Sequence, residues 1–339
     1  MAEAERPRGP GGDPRSGARR EGGRRVRFTP IAAASDLARR LTALERLVEA
    51  ALGASAGPAG PGPVLQSAVD EALTAYTRAR RWVAEEGARV ARTGGIADAG
   101  LHALYHYWWR AETFGMERVP ARGRALLVAN RAAAPLPYEA LMLEVALATE
   151  HPTGRAAHAL VDGGLAELPV VGRLLASRTL PATPAALRRV LDADEVAVVF
   201  PEGRAALAKP WAQRYRLARF GQSALLRVAI ETGTPIVPVA VIGAEEAHPV
   251  LYRVDLGRAL GLPPVPITPT FPWLGAFGLL PLPTKWRIHV GEPLDTRTRF
   301  RVEDAGEPAA VRRLRDEVRE RLQGLLSEGL RRRRSVFLG

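Results

Sequence analysis

The 339-residue chain contains no cysteine, which excludes disulfides, thiolate zinc sites and cysteine nucleophiles. Lysine is nearly missing too: Lys209 and Lys285 are the only two, so almost all positive charge is arginine. We attribute that usage to GC-rich coding and give it no thermal or functional meaning. An unbroken membrane-spanning run is also lacking. The longest charge-free stretch, Gly261 to Thr284, is long enough to span, but seven prolines between Pro263 and Pro283 interrupt it. A helix in lipid cannot leave that many carbonyls unpaired. The first thirty residues hold no apolar segment of the kind a secretory leader needs. A soluble or monotopic protein is therefore expected, cytoplasmic and peripheral on the inner face of a membrane.

What is present is an apolar content of 47%, enough for a sizeable core, and a net charge of +12 with a pI near 11.0. That charge calls for an anionic partner. Much of it sits at the ends: eight arginines lie between Arg6 and Arg27, and the run Arg331 to Arg334 closes the chain. Such runs read either as solvated tails or as attraction to a negative lipid surface. A nucleic-acid partner is not expected, because zinc spacing, an aromatic ribonucleoprotein pattern and a clear helix-turn-helix are all missing. The nucleophile elbow of an α/β hydrolase is missing as well, since Gly221-Gln222-Ser223-Ala224-Leu225 lacks its second glycine.

Periodicity divides the chain into four segments. Residues 1–29 read as a disordered basic arm, and 30–110 as a helical region with a flexible linker over Gly53 to Pro63. Its third helix, Ile96 to Glu112, carries Tyr105, Tyr107, Trp108 and Trp109. That aromatic cluster either packs on the following domain or forms an interfacial belt. Residues 111–300 alternate short apolar runs with helices, which argues for an α/β fold with a mixed, largely parallel sheet flanked by helices. Strands are expected at Arg124–Asn130, Ala156–Val161, Glu195–Phe200, Pro235–Ile242 and Lys285–Val290. Helices are expected at Glu139–Ala148 and Phe220–Thr232. Residues 301–339 read as a basic amphipathic helix with Val311, Leu314, Val318, Leu322, Leu325 and Leu326 on one face. The proline-rich, aromatic stretch Gly261–Thr284 is either core or, as we favour, a surface loop that covers an acyl site or dips into a bilayer.

Two strand-to-loop junctions carry the chemistry. One is Val128-Ala129-Asn130-Arg131, continuing through Pro137-Tyr138-Glu139; the other, about seventy residues on, is Val199-Phe200-Pro201-Glu202-Gly203-Arg204. With Ile236-Val237-Pro238-Val239 they resemble, in order and spacing, the motifs of the glycerolipid (lysophospholipid) acyltransferase family, of the 1-acylglycerol-3-phosphate acyltransferase type. Lys209-Pro210, Arg214-Tyr215, Arg219-Phe220-Gly221, Glu231-Thr232-Gly233 and Gly291-Glu292-Pro293 resemble one bacterial branch of it. The resemblance covers roughly Ala111 to Pro293.

The resemblance implies O-acyl transfer from acyl-CoA or acyl-carrier protein, as co-substrate, to a lysophosphatidate-like acceptor in phospholipid metabolism. It implies no metal and no resident cofactor. Anionic lipid and the membrane surface are the implied partners. In the family a histidine after the first strand takes the hydroxyl proton and an aspartate orients it. Here Arg131 stands in the histidine's place, and Glu139 stands for the aspartate, one residue later than in the branch pattern. A guanidinium has no lone pair with which to accept a proton. A catalytically impaired relative that binds anionic lipid or acyl chains is therefore the alternative. Arg131 and Glu139 read either as a structural ion pair or as a cleft in which Arg131 binds phosphate or carboxylate. The implied substrate-binding residues are Asn130, Pro201, Glu202, Gly203, Arg204 and Lys209, with Arg204 and Lys209 the natural phosphate partners. Glu202 could also be only a turn residue. Among the six histidines, His158 is the one that a rescue of the base would use.

Overall fold

Runs such as Ala125–Ala129 (ALLVA) and Val196–Val199 (VAVV) are apolar at every position, the pattern of a strand covered on both faces. The computed structural model describes residues 98–132, 136–162, 178–250 and 281–337, two short strands within 252–267, and helical residues 74, 77, 78 and 81. The expected basic arm, most of the N-terminal helical region and most of Gly261–Thr284 lie outside these.

The main sheet has seven strands: β1 (Glu112–Phe114), β2 (Ala125–Ala129), β3 (Ala157–Val161), β4 (Thr179–Pro181), β5 (Val196–Val199), β6 (Ile236–Ile242) and β9 (Arg287–Val290). Their order is β1-β9-β6-β2-β5-β3-β4, parallel throughout except where β6 meets β9. Strands β7 (Tyr252–Val254) and β8 (Val265–Ile267) pair separately and antiparallel. The helices are α1 (Tyr138–Glu150), α2 (Pro184–Asp192), α3 (Arg204–Leu207), α4 (Ser223–Thr232), α5 (Ala244–Ala247), α6 (Thr296–Arg299) and α7 (Pro308–Arg332). This is the expected α/β fold with a largely parallel sheet.

Alternation sorts the strands between two cores. Ala125, Leu127 and Ala129 face Leu141, Met142 and Leu143 of α1 together with Trp109 and Trp286. Leu126 and Val128 face Leu187 and Leu191 of α2, Leu226 of α4, and Leu314, Val318, Leu322 and Leu326 of α7. Each such large side chain contributes about 1.5–3 kcal/mol by leaving water. The apolar stripe of α7 is thus spent on the sheet, so that helix is one layer of the α/β unit.

Several elements depart from the sequence expectation. The helix read as Ile96–Glu112 ends in a π-turn at Leu104–Trp108, because Arg110 adopts φ 47° and Glu112–Phe114 crosses to pair with β9. The three-residue edge strands β1 and β4 carry too little pattern to be read. The aromatic cluster takes its core reading: Tyr105 and Trp109 are fully buried, and Trp109 stacks on Trp286 at 4.4 Å between centroids. The indoles of Trp108 and Trp109 donate to the carbonyls of Pro281 and Leu282 at 3.0 and 3.1 Å, pinning the end of the proline-rich stretch. Pro238 sits inside β6 without breaking the sheet. Its carbonyl accepts from Gly291 N at 2.8 Å on the side where β9 has just ended, so the missing N–H costs no ladder bond. A side chain at Gly291 would meet Leu325 at 2.7 Å and Pro238 at 2.9 Å, which accounts for the glycine of Gly291-Glu292-Pro293.

Candidate functional site

The neighbours β6, β2 and β5 run parallel, so the residues that follow them emerge along one edge. Carboxyl ends of parallel strands are where α/β sheets gather binding residues. Asn130 and Arg131 follow β2, Pro201-Glu202-Gly203 follows β5, and Gly243 to Glu246 follows β6.

Asn130 extends the ladder. Its amide donates to Val241 O at 3.0 Å and accepts from Val241 N at 2.7 Å, tying β2 to β6 one step beyond their last backbone pair. The next two backbone N–H groups turn to carboxylates. Arg131 N donates to Glu202 Oε1 at 3.0 Å, and Ala132 N donates to Glu139 Oε1 on the first turn of α1. Glu202 Oε2 accepts from Ala218 N at 2.6 Å. The Glu202 carboxylate therefore clamps the Asn130-Arg131 junction to the loop after the Pro201-Glu202-Gly203 turn, which is more than a turn residue does. Gly203, at φ 52° and ψ −135°, occupies backbone space open essentially to glycine, and a Cβ there would lie 2.9 Å from Asp162 Oδ2.

The Arg131 side chain is 5% exposed, with its guanidinium 6.0 Å from the centre of the Phe200 ring. Its Nη1 is buried without a hydrogen-bond partner, and so is Glu139 Oε2. No ion pair joins the two side chains, so the structural-ion-pair reading does not hold. Lys209, expected at a phosphate, is buried and committed to protein. Its Nζ lies 2.7 Å from Glu245 Oε1, 3.3 Å from Arg216 O and 3.9 Å from Glu202 Oε2. Pro201 caps the turn through its carbonyl, which accepts from Gly221 N at 3.0 Å. Arg204 is exposed on α3, outside the buried cluster. His158 lies near the start of β3, at the opposite edge, paired with Glu195 at 2.6 Å. Facing away from Arg131, it cannot replace a base there.

A second tier of residues escaped the sequence reading. Tyr215, in positive-φ backbone at 62°, donates to Glu246 Oε2 and accepts from Gly243 N at 2.7 Å. Arg333, from a run read as tail, instead buries its side chain and meets Glu246 Oε1 at 3.0 Å. The available signal was Glu245-Glu246 directly past a buried strand. Burial pushes the Glu245 carboxyl up to about 7, against the pull of Lys209. Burial also raises Glu202, again opposed by Lys209. The carboxylates Glu139, Glu202, Glu245 and Glu246 outnumber the cations Arg131, Lys209 and Arg333 by one. Among the described residues no group of three His, Asp or Glu side chains could hold a metal ion.

The acyltransferase family model matches residues 110–242, a span that contains β2, the Asn130–Glu139 junction, the Pro201-Glu202-Gly203 turn and β6. The chain belongs to the acyltransferase family. Two proteins described only as uncharacterized, from Mycobacterium leprae and Mycobacterium tuberculosis, are each 43% identical to it over 242 residues, 70% of this chain. The chain spans 65% of the first protein's length and 67% of the second's. A solved structure, the 1-acyl-sn-glycerophosphate (LPA) acyltransferase PlsC from Thermotoga maritima, is 18% identical with a TM-score of 0.44. That similarity covers 79% of this chain and 98% of the other. Among the described residues no helix is long and apolar enough to cross a membrane.

Proposed function

We propose that this acyltransferase-family protein transfers an acyl chain from acyl-CoA or acyl-carrier protein to a lysophosphatidate-like acceptor of phospholipid metabolism, at an anionic membrane surface. The observation that carries the reading is the buried Arg131 Nη1, unpartnered beside the Pro201-Glu202-Gly203 turn. A guanidinium held dry with an unused N–H is suited to a phosphate or carboxylate oxygen. Outside the cluster, Arg204, Arg214, Arg216 and Arg219 are exposed on the segment after the turn, a basic approach for a phosphorylated headgroup.

A second reading has its own support. Arg131 cannot accept a proton, and the ammonium of Lys209 is already engaged, so a non-catalytic protein that binds anionic lipid is the alternative. One experiment separates them: phosphatidate formation from lysophosphatidate and radiolabelled acyl-CoA or acyl-carrier protein, for the full chain and for Arg131→His. Transfer by the wild type that is reduced in Arg131→His supports the enzyme. Transfer by Arg131→His alone supports the binding protein. If the wild type neither transfers nor binds lysophosphatidate, both readings are overturned.

A further inference from the structure

We propose that Glu139 is the proton acceptor of acyl transfer and that Arg131 holds the oxygen on which negative charge develops. The inference rests on the acyltransferase reading above. Its basis is an asymmetry among the buried carboxylates. Glu202 accepts on both oxygens, from Arg131 N and Ala218 N. Glu246 likewise accepts on both oxygens, from Tyr215 and Arg333, while Glu245 takes two bonds on Oε1, from Lys209 and Tyr215 N. Glu139 differs: one oxygen takes Ala132 N, and the other is the only buried carboxylate oxygen among the described residues without a hydrogen-bond partner. Its side chain is 0% exposed. Arg131, eight positions earlier, is the matching donor with an unused N–H. An orphan acceptor and an orphan donor, each on a residue fixed by the backbone contacts above, suit a ligand that offers a hydroxyl hydrogen and an electron-rich oxygen together.

The step balances on these two groups. The acceptor's hydroxyl oxygen attacks the thioester carbonyl carbon, a C–O bond forms, and the hydroxyl proton passes to Glu139 Oε2. The carbonyl oxygen becomes an oxyanion facing Arg131 Nη1. Collapse breaks the C–S bond, and Glu139 returns its proton to the departing thiolate. A carboxylate can both take and return that proton; a guanidinium can do neither.

The test uses the full chain with radiolabelled acyl-CoA and lysophosphatidate. Glu139→Gln is expected to lower kcat by roughly 10²-fold or more. It should leave the Kd for lysophosphatidate within about threefold, since the lost interaction belongs to the transition state. The acid limb of the wild-type pH–rate profile should vanish, and Glu139→Asp should restore part of kcat. Wild-type kcat in Glu139→Gln overturns the assignment. So does a wild type that binds lysophosphatidate without turnover, an outcome that leaves the lipid reading intact. A wild type that neither binds nor turns over removes both. If Glu139→Gln fails to fold in circular-dichroism melts, the wild-type profile decides, because absence of an acid limb overturns the proposal.

Discussion

Arg131 and Lys209 have exchanged the roles that residue type alone suggests. The lysine, a mobile point charge that often meets phosphate, is locked against Glu245 and Arg216, while the arginine keeps a donor free. The buried Glu245 has a consequence for stability. Its carboxyl titrates near 7 in the folded protein and near 4.5 unfolded. Between those values the folded state holds a proton that the unfolded state has shed, so stability falls as pH rises through the window. The contribution is complete below about 4.5 and gone above about 7. Glu245→Gln lacks that proton site. Melting midpoints of wild type and variant, followed from pH 5 to 7.5, are expected to converge or cross, with the wild type losing roughly 2–4 °C per kcal/mol. Parallel curves would refute the raised carboxyl.

Among the elements, α7 shows most directly how a surface-looking segment becomes core. Its arginines suggest a membrane-seeking amphipathic helix, yet Leu314, Val318, Leu322 and Leu326 are fully buried against the sheet. Leu322→Ala is expected to cost about 2–5 kcal/mol in urea unfolding, transfer plus cavity. Arg312→Ala on the exposed face should stay within about 0.5 kcal/mol. Equal effects would mean that the helix does not pack as described. Strands β2, β5 and β6 and helix α7 were legible in the sequence because burial writes a period of its own: continuous runs for two-faced strands, a stripe for the helix. Strands β1 and β4, at three residues each, write none; pairing with longer neighbours defines them.

For the molecule as a whole, the charge bears on where it works. A net charge of +12 and the exposed arginines after the Pro201-Glu202-Gly203 turn are the basis for the proposed electrostatic docking on anionic lipid. The full chain is expected to float with phosphatidylserine-containing vesicles and to stay down with neutral phosphatidylcholine. The bound fraction should fall steeply between about 50 mM and 500 mM salt as screening shortens to a few ångströms. Flotation indifferent to lipid charge and to salt would exclude this mode of attachment.

The linear chain determined which residues stand at the ends of its buried strands, since apolar runs that must be covered on both faces leave their polar neighbours at the rim. It thereby placed Asn130, Arg131 and Glu202 at strand ends, and the resemblance to the acyltransferase motifs joined Glu139 to them. Tertiary structure alone decided how their charges are shared. Hydrogen-bond partners depend on distances between residues far apart in the chain: Glu202 lies 71 positions from Arg131, and Arg333 lies 87 from Glu246. Which atoms of Arg131 and Glu139 remain unpaired follows from that sharing, and so does the chemistry open to them.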